Sequence, residues 1–124
     1  MPQETVRTKA ELRAIEAEGW SEAEFTAYVI QYAQEHGWKA HHDRPARTAR
    51  GKWKTAVQGD PGFPDVLLAR QHPKFGYYQV YALELKTQRG RATPEQETWL
   101  AAFGPHVGGL LRPKDIEAIE KMLA

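Results

Sequence analysis

The segment DVLLARQHPKFGYYQVYALELKT, residues 65–87, decides how this chain folds. Two strand-like runs, residues 65–70 and 77–87, flank the short turn-forming sequence QHPKFG. This connection is too short for a crossover between parallel strands, so the segment predicts an antiparallel hairpin. The second run also carries charged residues where a strand is usually apolar.

One face of the second run combines an acid with a base. Side chains alternate along a strand, so Tyr81, Leu83 and Leu85 share one face while Glu84 and Lys86 share the other. An isolated Glu-x-Lys in a strand is most often a solvated surface, because charged side chains usually sit in water. The alternative is a functional site, and the neighbouring residues bear on that choice.

A symmetric hairpin would bring Asp65 directly opposite Glu84. The midpoint of these two positions falls between Lys74 and Phe75, inside the turn, which predicts Cβ atoms ~4.5–5.5 Å apart. Two carboxylates this close repel unless a proton or a cation lies between them. Mg²⁺ prefers carboxylate oxygens, so the pair predicts a metal site with Lys86 at its edge. A slip of one residue would turn Glu84 to the other face.

Capping residues and turns divide the rest of the chain. Thr8 begins a short peripheral helix within residues 1–20, and Ser21 with Glu24 forms a capping box that opens a longer helix. A strand at 38–42, a helix from Thr93, a strand at 106–112 and a closing helix at 114–124 follow. This order predicts one α/β domain over residues 1–124, with helices on both faces of a mixed sheet.

Composition narrows the class of protein. The 124 residues contain no cysteine, which excludes disulfide scaffolds and suits a reducing cytoplasm. No apolar run approaches the ~18 residues of a membrane span, so no membrane association is expected. The net charge is only +1, but residues 39–54 hold six Lys or Arg against Asp43 alone. That segment is either a solvated loop or a phosphate-binding one.

The long helix offers a candidate third carboxylate. At ~100° per residue, Glu22 projects between Val29 and Ala33 on the packed side, whereas Glu24 points nearly the opposite way. A glutamate aimed at the sheet could reach a cation. The alternative is that Glu22, in the first turn, complements the helix dipole.

The stretches GFPDVLLAR, YALELKTQRG and TPEQETWLAAF resemble the PD-(D/E)XK nuclease superfamily, and within it the VRR-NUC, Holliday-junction-resolvase-like branch of phages and bacteria. The likeness covers roughly residues 21–113. Asp65 matches the PD element, Glu84 and Lys86 match the E-x-K element, Glu22 matches the glutamate of the N-terminal helix, and Gln96 matches the glutamine of the following helix. Gln96 also has a structural interpretation as the third residue of the capping box begun by Thr93.

The resemblance implies a restriction-endonuclease-like core, a mixed four-stranded sheet in the order αβββαβ with a C-terminal helix after the catalytic core of residues 21–113. It implies an endonuclease that cuts DNA selectively at branched or junction structures and uses Mg²⁺ or Mn²⁺. The implied catalytic set is Asp65, Glu84, Lys86, Glu22 and Gln96. The implied metal ligands are Asp65, Glu84, Glu22 and the main-chain carbonyl of Leu85.

Basic residues on both sides of the implied site would hold the DNA backbone. They are Lys39, Arg44, Arg47, Arg50, Lys52, Lys54, Arg89 and Arg91. Phosphate contacts position a nucleic acid without reading its sequence, so selectivity for DNA structure is expected. Resolution of a junction requires two cuts, which leaves a homodimer open. The rival interpretations are a non-catalytic nucleic-acid-binding module with the same fold and a structural partner protein that binds no metal.

Overall fold

The computed structural model describes residues 8–42, 46–47, 53–54 and 59–124. The helices are α1 (Lys9–Ala17), α2 (Glu22–Glu35), α3 (Pro94–Phe103) and α4 (Ile116–Leu123), with a 3-10 turn at Pro113–Asp115 before α4. The strands are β1 (Lys39–His42), β2 (Ala46–Arg47), β3 (Trp53–Lys54), β4 (Val66–Gln71), β5 (Tyr78–Leu85) and β6 (Gly108–Leu111).

Four strands form a mixed sheet in the order β1-β4-β5-β6. The first three are antiparallel neighbours, and β6 lies parallel to β5, reached through the crossover helix α3. The predicted hairpin is confirmed as the β4–β5 pair. The short strands β2 and β3 pair with each other apart from this sheet, a detail that the sequence did not indicate.

The core lies between one face of the sheet and three helices. Its fully or almost fully buried residues include Phe25, Val29 and Ala33 of α2 and the strand residues Val66, Leu68, Leu83 and Leu85, together with Ala17, Trp38, Ile116, Ile119 and Leu123. These strand residues share one face by alternation and register, because Val66 is opposite Leu83. The helical periodicity of α2 therefore predicted its buried face correctly.

Both predicted capping boxes are present. Ser21 Oγ accepts from the Glu24 amide while Glu24 Oε1 accepts from the Ser21 amide, each at 3.1 Å. Thr93 and Gln96 exchange the same two bonds at the start of α3, where Pro94 is the first helical residue. These bonds satisfy amides that the first helical turn leaves without partners, which fixes where each helix begins.

The first helix is joined to the others by an ionic contact. Arg13 of α1 donates to both carboxylate oxygens of Glu120 on α4, and Tyr28 of α2 donates to the same carboxylate. The guanidinium and the phenol together hold the pKa of Glu120 below its usual range, against the opposing effect of its burial. Helix α1, which the sequence indicated to be peripheral, is thus connected through Arg13 to α4, whose Glu120 is also bonded to α2.

The opposite face of the sheet is covered at one end by α3. Gly108 in β6 allows this approach, because an added Cβ would lie 2.8 Å from the carbonyl oxygen of Leu100 in α3. In the part of the chain that the structure describes, no helix combines the length and the apolar character needed to cross a bilayer.

Gly62 allows the loop that precedes β4 to lie close to α3, and substitution of this glycine tests that close approach. Its φ is +91°, and a Cβ there would lie 2.7 Å from the main-chain carbonyl carbon of Glu95. Gly37 has a similar φ of +84° but open space around it. Left-handed backbone costs a non-glycine residue ~1–2 kcal/mol, and only Gly62 adds a steric clash to that cost.

We therefore expect Gly62→Ala to lower the free energy of unfolding by clearly more than Gly37→Ala, measured by urea denaturation monitored through tryptophan fluorescence. Gly37→Ala is the control for the backbone cost alone. Equal losses in the two variants would contradict the close approach between the 59–65 loop and α3.

Candidate metal centre

The hairpin register brings Asp65 and Glu84 together. Val66 is opposite Leu83, and continuing that register by one residue places Asp65 opposite Glu84. Asp65 is also tied to the end of β5, because its Oδ2 accepts a hydrogen bond from the Leu85 amide at 3.2 Å. The arrangement predicted from a symmetric hairpin is therefore confirmed.

A third carboxylate joins this pair from α2. Glu22 is the first residue of the helix, and one carboxylate oxygen each of Glu22, Asp65 and Glu84 lies within 4.8 Å of the other two. Glu22 is exposed, Asp65 is partly buried and Glu84 is fully buried, so the cluster runs from solvent into the protein. Glu22 occupies the first turn, as the helix-dipole interpretation requires, and it also neighbours the other two acids.

Glu84 is inaccessible to solvent, so the interpretation of Glu84 and Lys86 as a solvated surface is wrong for the glutamate. Its Oε1 accepts from Gln96 Nε2 at 2.7 Å and lies 3.2 Å from Lys86 Nζ. Its Oε2 is buried and has no hydrogen-bond partner among the described residues. A buried carboxylate oxygen without a partner is costly, so this position suits either a proton on Glu84 or a bound cation.

The negative charge of the three acids is only partly balanced by the described residues around them. Burial, followed by the nearby charge of Asp65, raises the pKa of Glu84 to about 7, while the Lys86 ammonium acts in the opposite direction. One lysine therefore does not compensate the group of acids. A divalent cation bound among the three carboxylates would supply the missing positive charge.

Gln96 has both of the roles that the sequence suggested. Its Oε1 accepts from the Thr93 amide at 2.9 Å as part of the capping box, while its Nε2 donates to Glu84. An amide side chain has both an acceptor and donors, so the two interpretations are compatible. The capping box holds the Gln96 amide in place, and this amide orients the Glu84 carboxylate. Oε1 of Glu84 accepts the hydrogen bond, and Oε2 has no partner among the described residues.

Arg112 holds the segment after β5, a role that the sequence analysis missed. Its Nη1 donates to the carbonyls of Thr87 at 2.7 Å and Gly90 at 2.5 Å, with a longer contact of 3.4 Å to Gln88. An arginine that follows a strand gives no sequence signal for this bond, because its partners are main-chain carbonyls more than 20 residues earlier. The contact fixes the loop that carries the exposed Arg89.

The other predicted basic residues are described unevenly. Arg91 is exposed just beyond that loop, and Lys39 is exposed on β1. Arg47 and Lys54 belong to β2 and β3, and their side chains are outside the described part of the structure. Arg44, Arg50 and Lys52 lie outside the described residues altogether, so their predicted phosphate contacts stay predictions.

A separate cleft of about 390 Å³ lies beside α3. It is lined by Asp60, Pro61, Glu95, Thr98, Trp99 and Ala102 and contains none of the three clustered acids. Trp99 closes one side, with its indole N–H bonded to the Pro61 carbonyl at 3.0 Å. The cleft has an acidic rim, formed by Asp60 and Glu95, and is separate from the cluster of Glu22, Asp65 and Glu84.

The raised pKa of Glu84 predicts how stability depends on pH. The folded chain binds this proton more tightly than the unfolded chain, whose pKa is about 4.5. The resulting stabilisation is fully present below about pH 4.5 and is lost as the pH rises through about 7. At about 1.4 kcal/mol per pKa unit, the loss is on the order of 3 kcal/mol.

We therefore expect Glu84→Gln to gain stability relative to the wild-type chain as the pH is raised from 5 to 8, measured by urea denaturation in the presence of a chelator. Glu16→Gln, at an exposed position on α1, serves as the control and should show no such trend. A constant difference between Glu84→Gln and wild type across this range would contradict the electrostatics described above.

Comparison with known proteins gave no relative: no family model, no curated protein and no solved structure matches this chain.

Proposed function

We propose that this protein is a metal-dependent endonuclease that hydrolyses phosphodiester bonds in DNA, with a preference for branched or junction structures. The observation that carries the proposal is the buried Glu84 Oε2, which has no partner among the described residues, beside carboxylate oxygens of Asp65 and Glu22 within 4.8 Å. Lys86 at 3.2 Å from Glu84 adds a positive charge that could lie beside the phosphate in a metal-assisted hydrolysis.

The donor set fits Mg²⁺ or Mn²⁺. Both are hard cations that bind carboxylate and carbonyl oxygens, and Glu22, Asp65 and Glu84 provide such oxygens close together. The main-chain carbonyl of Leu85 is the proposed fourth protein ligand. A bound divalent cation lowers the pKa of a coordinated water and offsets the negative charge that develops on the phosphate.

The protein's own residues would supply positioning and charge. Lys86 has a side chain only 12% exposed, so its ammonium is held in place beside Glu84 and would orient the attacking water next to the scissile phosphate. Gln96 holds Oε1 of Glu84, which leaves Oε2 for the cation. Fixed groups of this kind lower the cost of reorganisation during the reaction.

Exposed cations around the site would bind the DNA backbone. Arg89 and Arg91 lie four and six positions after the end of β5, and the bonds from Arg112 to the carbonyls of Thr87 and Gly90 hold the loop that carries Arg89. Lys39, exposed on β1 opposite Ala69, is farther along the sheet. Contacts with phosphates recognise the shape of the DNA and not its base sequence. A homodimer, in the cytoplasm, would allow the two cuts that resolution of a junction needs.

Substitution of the clustered residues tests the catalytic assignment. We expect Glu84→Gln and Lys86→Ala each to lower Mg²⁺-dependent nicking of labelled branched DNA by at least about 100-fold, because each removes a group that acts on the reacting phosphate or its ligands. Binding of the same DNA, measured by fluorescence anisotropy in chelator, should change little.

A matched pair in the first turn of α2 provides the control. Glu22→Gln should reduce nicking, whereas Glu24→Gln should not, because Glu24 is engaged in the capping box and is not one of the three clustered acids. If Glu84→Gln and Lys86→Ala cut normally, the site assignment is wrong. If the wild-type chain binds branched DNA but does not cut it, the non-catalytic binding module is the better description.

Metal binding can be tested without DNA. We expect calorimetric titration with Mn²⁺ to show saturable binding to the wild-type chain, accompanied by a rise in Tm, because a ligand that binds the folded state stabilises it. Glu84→Gln should weaken binding strongly, and Glu24→Gln should bind as the wild type does. A wild-type chain that binds no Mn²⁺ at millimolar concentration would favour the structural-partner interpretation.

A further inference from the structure

Half of the sheet face that carries Glu84 has side chains open to solvent. Tyr78, Val80, Ala82 and Glu84 alternate along β5 and share this face. Ala82 and Glu84 are fully buried, whereas Tyr78 is 80% exposed and Val80 is 46% exposed. The exposed half continues from the metal centre toward the hairpin turn.

The neighbouring strands extend this exposed half. Gln71 lies opposite Tyr78, Ala69 lies opposite Val80, and Lys39 of β1 lies opposite Ala69. Directly opposite residues point to the same side of a sheet. We call these five residues, Lys39, Ala69, Gln71, Tyr78 and Val80, the open face.

The charge of this region favours an anionic ligand. Residues 66–83, from the start of β4 to the residue before Glu84, include no Asp or Glu, and Lys74 lies in the turn between the strands. Arg70 is on the other face, where its guanidinium donates to the carbonyls of His36 and Ala124. Lys39 adds a positive charge at the border of the open face, where it is exposed. A phosphate backbone would meet no carboxylate of the hairpin strands until it reached the metal centre.

The distances suit a strand of nucleic acid that starts at the metal centre. Glu84 is six positions after Tyr78, which is ~20 Å along an extended strand. That length corresponds to roughly six nucleotides at the ~3.4 Å spacing of one strand of a duplex, and to fewer in a more extended single strand.

We infer that the open face binds unpaired nucleotides of the substrate strand, with a base stacked on Tyr78. This inference rests on the proposed nuclease function, which it makes more specific. A base inside a duplex has both faces covered by its neighbours, so away from the duplex ends a base must be unpaired to place a π-face against a protein ring. Val80 provides apolar contact beside the stacked base, and Lys39 contacts the backbone.

A protein partner fits this surface less well. Stable protein interfaces bury about 800 Å² on each side around a continuous apolar centre. The open face offers two exposed apolar side chains, Tyr78 and Val80, bordered by a lysine and a glutamine. An aromatic ring with a nearby cation and no acid is instead the combination found in single-strand binding surfaces.

Two adjacent tyrosines allow a matched test. Tyr77 is 54% exposed, and its ring stacks on His72 at 4.8 Å, so it is equally a surface tyrosine but points away from the open face by alternation. Binding is measured by fluorescence anisotropy in chelator, with labelled single-stranded DNA or RNA of about 20 nucleotides and with a blunt DNA duplex. The chelator prevents cleavage and separates binding from catalysis.

We expect Tyr78→Ala to weaken single-strand binding by roughly 5- to 100-fold and duplex binding by less than about twofold. Tyr77→Ala should leave both affinities near the wild-type values, and Tyr78→Phe, which keeps the ring, should restore single-strand binding. An effect on either the DNA or the RNA strand supports the inference, and the larger effect identifies the preferred polymer.

The inference is overturned if Tyr78→Ala leaves single-strand affinity unchanged, if it weakens the duplex equally, or if light scattering shows that it acts by dissociating a dimer. Failure of the nuclease proposal looks different. A wild-type chain that binds single strands through Tyr78 but never cuts them would keep this inference and remove the catalytic assignment.

Discussion

The register of the β4–β5 hairpin is the constraint on which the rest of this structure depends. It places Val66 opposite Leu83 in the core, and by the same alternation it places Asp65 opposite Glu84 on the other face. A shift of one residue would move each of these side chains to the other face of the sheet. The register that packs the core is therefore the same register that pairs the two acids. The burial of Leu68, Leu83 and Leu85 therefore also holds two carboxylates together, against their mutual repulsion.

The helices complete this arrangement from both sides of the sheet. The start of α2 brings Glu22 to the acids, and the start of α3 brings Gln96 to Glu84. In each case a capping box defines the first turn, so a local rule of helix initiation determines the position of a side chain in the site. The result is an electrostatically unfavourable cluster, since Glu84 is buried beside another acid and, among the residues that the structure describes, Lys86 is the cation paired with it. We interpret this residual cost as the reason why the site would bind a cation.

Much of the fold could be predicted because its signals are local. The hairpin, both capping boxes and the apolar stripe of α2 each depend on residues a few positions apart, and the structure contains all of them. The acid pair was also predictable, because symmetry about the turn is enough to find it. Other features depend on contacts between distant segments. The complete burial of Glu84, the bond from Gln96 and the bonds from Arg112 to the loop after β5 required α3 and β6 to be in place.

The sequence by itself determined the α/β class, the hairpin and its register, and the identity of the acids that could meet. It could do so because alternation, capping and turn symmetry act within short stretches of chain. Only the tertiary structure decided that Glu84 is shielded from water while Tyr78 on the same face is exposed. Both residues alternate identically along β5, and the difference arises because the crossover from β5 to β6 lays α3 over one half of that face and leaves the other half open.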